Sequence, residues 1–219
     1  PTDNADNDSQ LLLDAITQIQ AQKINSVLFI DAAVKDYQSL IDDLDEGVDV
    51  VLLDANRDGV QLIADTLSQY SNLASIQIIS HGSQGQVNLG STSLNQSSLD
   101  TYQAAIQSWG NALSESGDIL FYGCNVAEGA VGGRFLQQLA TMTRADVAAS
   151  TNETGASELG GDWVLESYIG DIEAQALNDL DYDMFGTRCF YRLLKAAKGL
   201  TELGLHQDYK HGVIQHLNN

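Results

Sequence analysis

Five short, mainly apolar runs constrain the fold more than any other feature of the chain. They are residues 27–31 (VLFID), 48–54 (VDVVLLD), 75–80 (SIQIIS), 118–122 (DILFY) and 146–150 (DVAAS). A run without polar alternation suits a strand buried on both faces, as in a parallel sheet. Between the runs lie stretches of helical periodicity: residues 34–44, residues 59–70 with Val60, Ile63 and Leu67 on one face, residues 99–113 and residues 130–142. A further amphipathic stretch, residues 11–22, lies upstream, with Leu12, Ile16 and Ile19 on one side. Strands that alternate with helices imply βαβ units with right-handed crossovers. The expected class is α/β: a three-layer sandwich of a mostly parallel sheet of about 5–6 strands with helices on both faces. Residues 86–94 are expected to form a small hairpin, and the alternating residues 163–176 a C-terminal antiparallel β-hairpin.

Composition narrows the classes further. At roughly 150 residues per domain, 219 residues make one domain with an appendage. A chain of this length buries about 70% of its unfolded surface and needs no metal or disulfide to fold. The 43% hydrophobic content and the single proline exclude a disordered or collagen-like chain. No apolar run approaches ~18 residues, so no membrane-spanning helix and no membrane insertion are expected. The first residue is Pro1, as expected of a processed or partial chain. Thirty acidic residues against 10 basic ones give a net charge of −20, which excludes a binder of nucleic-acid phosphates and disfavours anionic lipid. The charge is uneven: residues 1–183 carry 28 of the acids and 5 of the bases, and residues 184–219 the other 2 and 5. The expected division is a lead-in with a helix over 1–24, an α/β domain over 25–183 and a basic tail of unassigned role over 184–219.

In parallel α/β sheets, ligands bind at the carboxyl ends of the strands. The residues there are Asp31, Asp54, His81, Cys124 and Ser150. The acidic body holds one histidine and one cysteine, and both fall at such ends, in IISHG (78–82) and LFYGCN (120–125). If the two strands are neighbours, the side chains converge on one rim. A thiolate is a strong nucleophile, and an adjacent imidazole is the usual means of generating it. Gly82 leaves its N–H open to a ligand and, with the Cys124 N–H, could form an oxyanion hole. The competing reading is structural: a cysteine near a strand end is commonly a packed small residue.

An apolar strand ending in His-Gly, followed by a later apolar strand ending in Cys, resembles the caspase-like cysteine peptidases, in which His also precedes Cys. Residues 25–180 resemble more closely the bacterial family known as domain of unknown function 4347. The stretches that carry this are 28–31, 54–59 (DANRDG), 78–85 (IISHGSQG), 117–127 (GDILFYGCNVA) and 145–163 (ADVAASTNETGASELGGDW). The resemblance implies a caspase-like fold and a His81/Cys124 dyad. Cys124 would be the nucleophile, His81 the general base and acid, and the Gly82 N–H an oxyanion donor. By the same resemblance Asp31, together with Asp54, would line a pocket for a Lys or Arg side chain. The family sits in large secreted or cell-surface proteins, which sets the expected location. Gly123-Cys124-Asn125 departs from the caspase signature, and no arginine pocket for an aspartate is visible.

Weaker signals remain. Asp54, Asn56, Asp58 and Asp65, with Gly59 at the sixth position, have the spacing of an EF-hand loop and are the candidate Ca²⁺ ligands. The alternative is a strand–helix turn with Asp58 capping the next helix. Apart from this possible Ca²⁺, no cofactor is implied. Residues 129–133 (GAVGG) open a helix, but lack the spacing of a phosphate-binding loop. His206, His211 and His216 are five apart and do not share a helix face, so they make no zinc site. Cys124 and Cys189 could pair in a secreted protein; a cysteine matched to a histidine at the strand ends favours a free thiol. The expected function is a cysteine-dependent hydrolase module acting on a peptide or protein, its own parent chain included. The alternative is a non-catalytic interaction or assembly module of a surface adhesin, with or without Ca²⁺.

Overall fold

The computed structural model describes residues 25–35, 37–42, 47–155, 157, 160–175 and 177. The expected lead-in helix and the basic tail, with its three histidines and Cys189, lie outside the described residues. Six strands form one sheet in the order β2-β1-β3-β7-β8-β9. These are β1 Ser26–Asp31, β2 Val48–Leu53, β3 Leu73–Ile79, β7 Leu113–Tyr122, β8 Asp146–Ala149 and β9 Ser167–Ile169. The pairs β1–β2, β1–β3, β3–β7 and β7–β8 are parallel, and β9 runs antiparallel to β8. A separate three-stranded sheet consists of β4 Gly82–Ser83, β5 Gln86–Leu89 and β6 Thr92–Asn95. The expected closing hairpin takes another form. The alternating residues supply one strand, β9, whose partner is β8 of the main sheet.

Side chains alternate cleanly across the sheet, as a period of two requires. Val27, Phe29, Ile76, Ile78, Ile119, Phe121, Val147 and Ala149 lie in one core. It is closed by helices α2 Gly59–Leu67, α3 Gln103–Gly110 and α4 Gly129–Thr143. Leu28, Ile30, Ile79, Leu120, Tyr122 and Ala148 lie in a second core on the opposite face. There the cover is thinner: Val34, Tyr37 of the short helix α1 (Tyr37–Asp42), Trp163, Leu165 and the segment reaching Leu177. No described helix is long and apolar enough to cross a membrane.

Each helix forms for a local reason. Asp58 caps α2, its Oδ1 accepting the Gln61 N–H at 3.2 Å, and Val60, Ile63, Ala64 and Leu67 form the buried stripe. Helix α4 ends at Arg144, whose φ of 61° turns the chain while its N–H returns to the Ala140 carbonyl at 2.8 Å. Helices α3 and α4 meet at Gly110, where a Cβ would stand 1.9 Å from the Thr143 carbonyl oxygen. An exposed glycine replaced by alanine in a helix gains about 0.5–1 kcal/mol. Here the two backbones would have to separate, and overpacking of this kind costs about 1–3 kcal/mol. Gly110→Ala is therefore expected to destabilise the protein in urea unfolding, and a stabilised variant would contradict this helix contact.

Candidate functional site

Strands β3 and β7 are adjacent and in register, with Ile79 opposite Tyr122. The Ser80 N–H extends the ladder to the Tyr122 carbonyl at 3.0 Å. His81 and Cys124 each follow their strand by two residues, so both lie at one edge of the sheet. They line one cleft with Val34, Ile79, Ser80, Tyr122, Thr154 and Trp163. The cleft holds about 20 Å³, room for roughly one water molecule.

His81 is half-buried, and its Nε2 lies 3.3 Å from the Ala33 carbonyl oxygen. A carbonyl only accepts, so Nε2 carries the hydrogen and, in the neutral ring, Nδ1 keeps the lone pair. Ala33 is itself fixed by Asp31. The Oδ1 of Asp31 accepts the Ala33 N–H at 2.8 Å, and its Oδ2 accepts the Gly90 N–H at 2.6 Å. Asp31 is 2% exposed, both its oxygens are engaged, and it does not line the cleft. It joins the turn after β1 to the β5–β6 hairpin and thereby sets the carbonyl that holds His81.

Cys124 is 3% exposed, with its Sγ 3.8 Å from the Thr154 carbonyl oxygen. The sequence favours a free thiol, but the structure has Cys124 in a disulfide. An oxidised sulfur carries neither a hydrogen nor a charge, so the thiolate exists only after reduction. The turn that presents Cys124 is tied down on one side. The Asn125 N–H donates to the Asn152 carbonyl at 2.7 Å, and the Ala127 N–H to the Ser150 carbonyl at 2.9 Å. Asn125 has φ 59°, a left-handed conformation that asparagine tolerates better than most residues. Gly82 passes against this turn: a Cβ there would meet Val126 Cγ2 at 2.5 Å and the Cys124 carbonyl oxygen at 2.9 Å. Only glycine permits that approach, which puts the expected oxyanion donor beside the Cys124 backbone.

The Asp54–Asp65 stretch serves the turn into α2. The Oδ1 of Asp54 accepts the Asn56 N–H at 2.8 Å, and Asp58 Oδ2 accepts the Tyr102 hydroxyl at 2.7 Å. Asp65 Oδ1 accepts from Gln61 Nε2 at 2.8 Å. Burial works against the Asp58 charge, but hydrogen bonds from Tyr102, the Gln61 N–H, Thr92 and the Val60 N–H outweigh it. They hold its carboxyl below the ordinary carboxylate range. Asp54 does not line the cleft. Among the described residues, the three-membered group of metal-ligating side chains is elsewhere, at Asp118, Asp146 and Glu173.

Sequence reasoning misses Thr154 and Trp163 of the cleft and the Ala33 carbonyl. The Thr154 hydroxyl and the Trp163 indole nitrogen are buried without hydrogen-bond partners among the described residues. The Trp163 ring tilts 55° against Tyr122 at 5.8 Å. Burial pushes the Tyr122 hydroxyl up to about 12, against the opposing hydrogen bond from the Leu177 N–H. The class the fold defines is α/β, a mostly parallel six-stranded sheet with a buried core on each face. The chain matches the family described as domain of unknown function (DUF4347) over residues 27–185, and it belongs to that family. No curated protein matches it significantly.

Two measurements test this geometry. Asp31→Asn sets an amide donor against a backbone donor, and is expected to cost about 1–3 kcal/mol in urea unfolding. An unchanged midpoint would mean that Asp31 does not fasten the two turns. Because the Tyr122 pKa is raised, the stability it contributes is complete below pH 10 and is lost as pH rises through about 12. Tyr122→Phe is expected to flatten the alkaline stability profile in that window.

Proposed function

We propose that the chain is a cysteine-dependent hydrolase module that cleaves a peptide bond, with Cys124 as nucleophile and His81 as general base and acid. The observation that carries this reading is the convergence of the two residues on one cleft at the ends of adjacent parallel strands. In the reduced protein the Cys124 proton passes to His81 as the sulfur bonds to the scissile carbonyl carbon. The developing oxyanion lies toward the Gly82 backbone. Collapse breaks the C–N bond, with the proton delivered from His81 to the leaving amine, and water then hydrolyses the thioester. A cleft of about 20 Å³ suits the reacting carbonyl rather than a whole side chain, so the substrate would lie across the sheet edge. The acidic charge and the disulfide at Cys124 both fit a larger secreted or cell-surface protein.

The disulfide and the burial of Cys124 favour a second reading, a non-catalytic interaction module of such a protein. Labelling of the reduced protein with iodoacetamide across pH separates the two. At pH 6 an ordinary thiol of pKa about 8.5 is less than ~1% thiolate and reacts slowly. The hydrolase reading expects fast labelling at pH 6, abolished in Cys124→Ala and slowed on the order of tenfold or more in His81→Ala. Slow labelling that His81→Ala leaves unchanged would sink the hydrolase reading.

A further inference from the structure

A second site lies at the amino ends of the strands. Asp118 and Asp146 are register partners on β7 and β8, and Glu173 comes from the segment after β9. One carboxylate oxygen from each lies within 4.8 Å of the other two. Asp118 is 0% exposed. Its Oδ2 accepts the Glu173 and Ala174 N–H groups at 3.0 and 2.7 Å, whereas its buried Oδ1 has no hydrogen-bond partner among the described residues. Asp146 is half-buried, its Oδ2 accepting the Asp171 N–H at 3.1 Å, and Glu173 is exposed and gives the group an opening to solvent.

A buried carboxylate oxygen without a partner is costly, and like charges beside it add to the cost. Burial raises the Asp118 carboxyl above its ordinary range; the two backbone N–H groups oppose this, and the Glu173 and Asp146 charges add to it. A cation held between the three carboxylates would offset both costs. We propose that Asp118, Asp146 and Glu173 form a site for a hard divalent cation, specifically Ca²⁺. All three donors are carboxylate oxygens, which select Ca²⁺ or Mg²⁺ over softer metals. Oxygens within 4.8 Å of one another lie in reach of a single ion, and three protein carboxylates suit Ca²⁺, which takes six to eight oxygen ligands in flexible geometry, better than Mg²⁺, which keeps several waters and is usually held by one or two carboxylates. Such an ion would bridge β7, β8 and the segment that covers the second core. It is distinct from the Asp54–Asp65 turn, whose oxygens cap and brace α2, and it does not depend on the hydrolase reading.

The test is calorimetric titration of the metal-stripped full chain with CaCl₂ and with MgCl₂, together with thermal unfolding in each. The expected result is one saturable Ca²⁺ site tighter than any Mg²⁺ site, with a melting temperature that rises to a plateau. Asp146→Asn and Glu173→Gln, both at accessible positions, are each expected to weaken Ca²⁺ on the order of tenfold or more, since loss of even an outer-shell partner does so. Asp100→Asn, at an exposed position outside the group, is expected to change nothing. No saturable Ca²⁺ binding would overturn the proposal and mean that a proton neutralises Asp118. Binding that persists undiminished in both variants would also overturn it, and would put the ion elsewhere on the acidic surface.

Discussion

The in-register parallel pairing of β3 with β7 is the contact on which the site depends. Ser75 to Ile79 run beside Asp118 to Tyr122, and the Ser80 N–H continues the ladder. Both strands are buried on both faces, so a slip of one residue would drive every side chain into the opposite core. Ile76, Ile78, Ile119 and Phe121 belong to the helix-covered face, and Ile79, Leu120 and Tyr122 to the other. The positions of His81 and Cys124 follow from that register. Core packing therefore sets the relation of the two residues, whatever chemistry they perform.

The inner strands β1, β3 and β7 were legible because burial on both faces is written as a mainly apolar run, and α2 because Asp58 precedes a stripe of period 3.6. Residues 163–176 showed alternation, which identifies a strand but not its partner, so β9 read as half of a hairpin when it closes the main sheet. His81 and Cys124 could be found because strand carboxyl ends in a parallel sheet share one edge. The Ala33 carbonyl could not, since backbone acceptors leave no mark in the sequence. Thr154 and Trp163 arrive from the loop after β8, whose path no periodicity dictates. Asp118 and Asp146 each head an apolar run, a pattern that pairs them once β7 and β8 are known to be neighbours. Glu173 carries no such mark. The Asp54–Asp65 spacing imitates a calcium loop, yet the element before it is the strand β2, and hydrogen bonds within the turn engage its oxygens.

Two buried aspartates show how environment decides the role of one residue type. Asp31 accepts one backbone N–H on each oxygen, so its charge is well solvated by the fold and it fastens two turns behind His81. Asp118 receives two N–H groups on one oxygen, none on the other, and faces Asp146 and Glu173. In a chain of net charge −20, no general excess of cations lies at hand to offset that crowding. Asp31 is thus complete as a structural element, whereas one oxygen of Asp118 is engaged by no group among the described residues.

The two ends of the sheet are joined by one segment. Ile172, Ala174 and Leu177 pack on the second core. At the amino end Glu173 and Ala174 donate to Asp118, and at the carboxyl end the Leu177 N–H donates to the Tyr122 hydroxyl. Asp118 and Tyr122 are four residues apart on β7, about 13 Å along a rigid strand. Tyr122 in turn packs on Trp163, and both line the His81–Cys124 cleft. The Tyr122–Trp163 wall of the cleft therefore shares a covalent and hydrogen-bonded support with the acidic group. Asp118 at one end of the paired strand and Tyr122 at the other thus both accept backbone N–H groups from the stretch that follows β9.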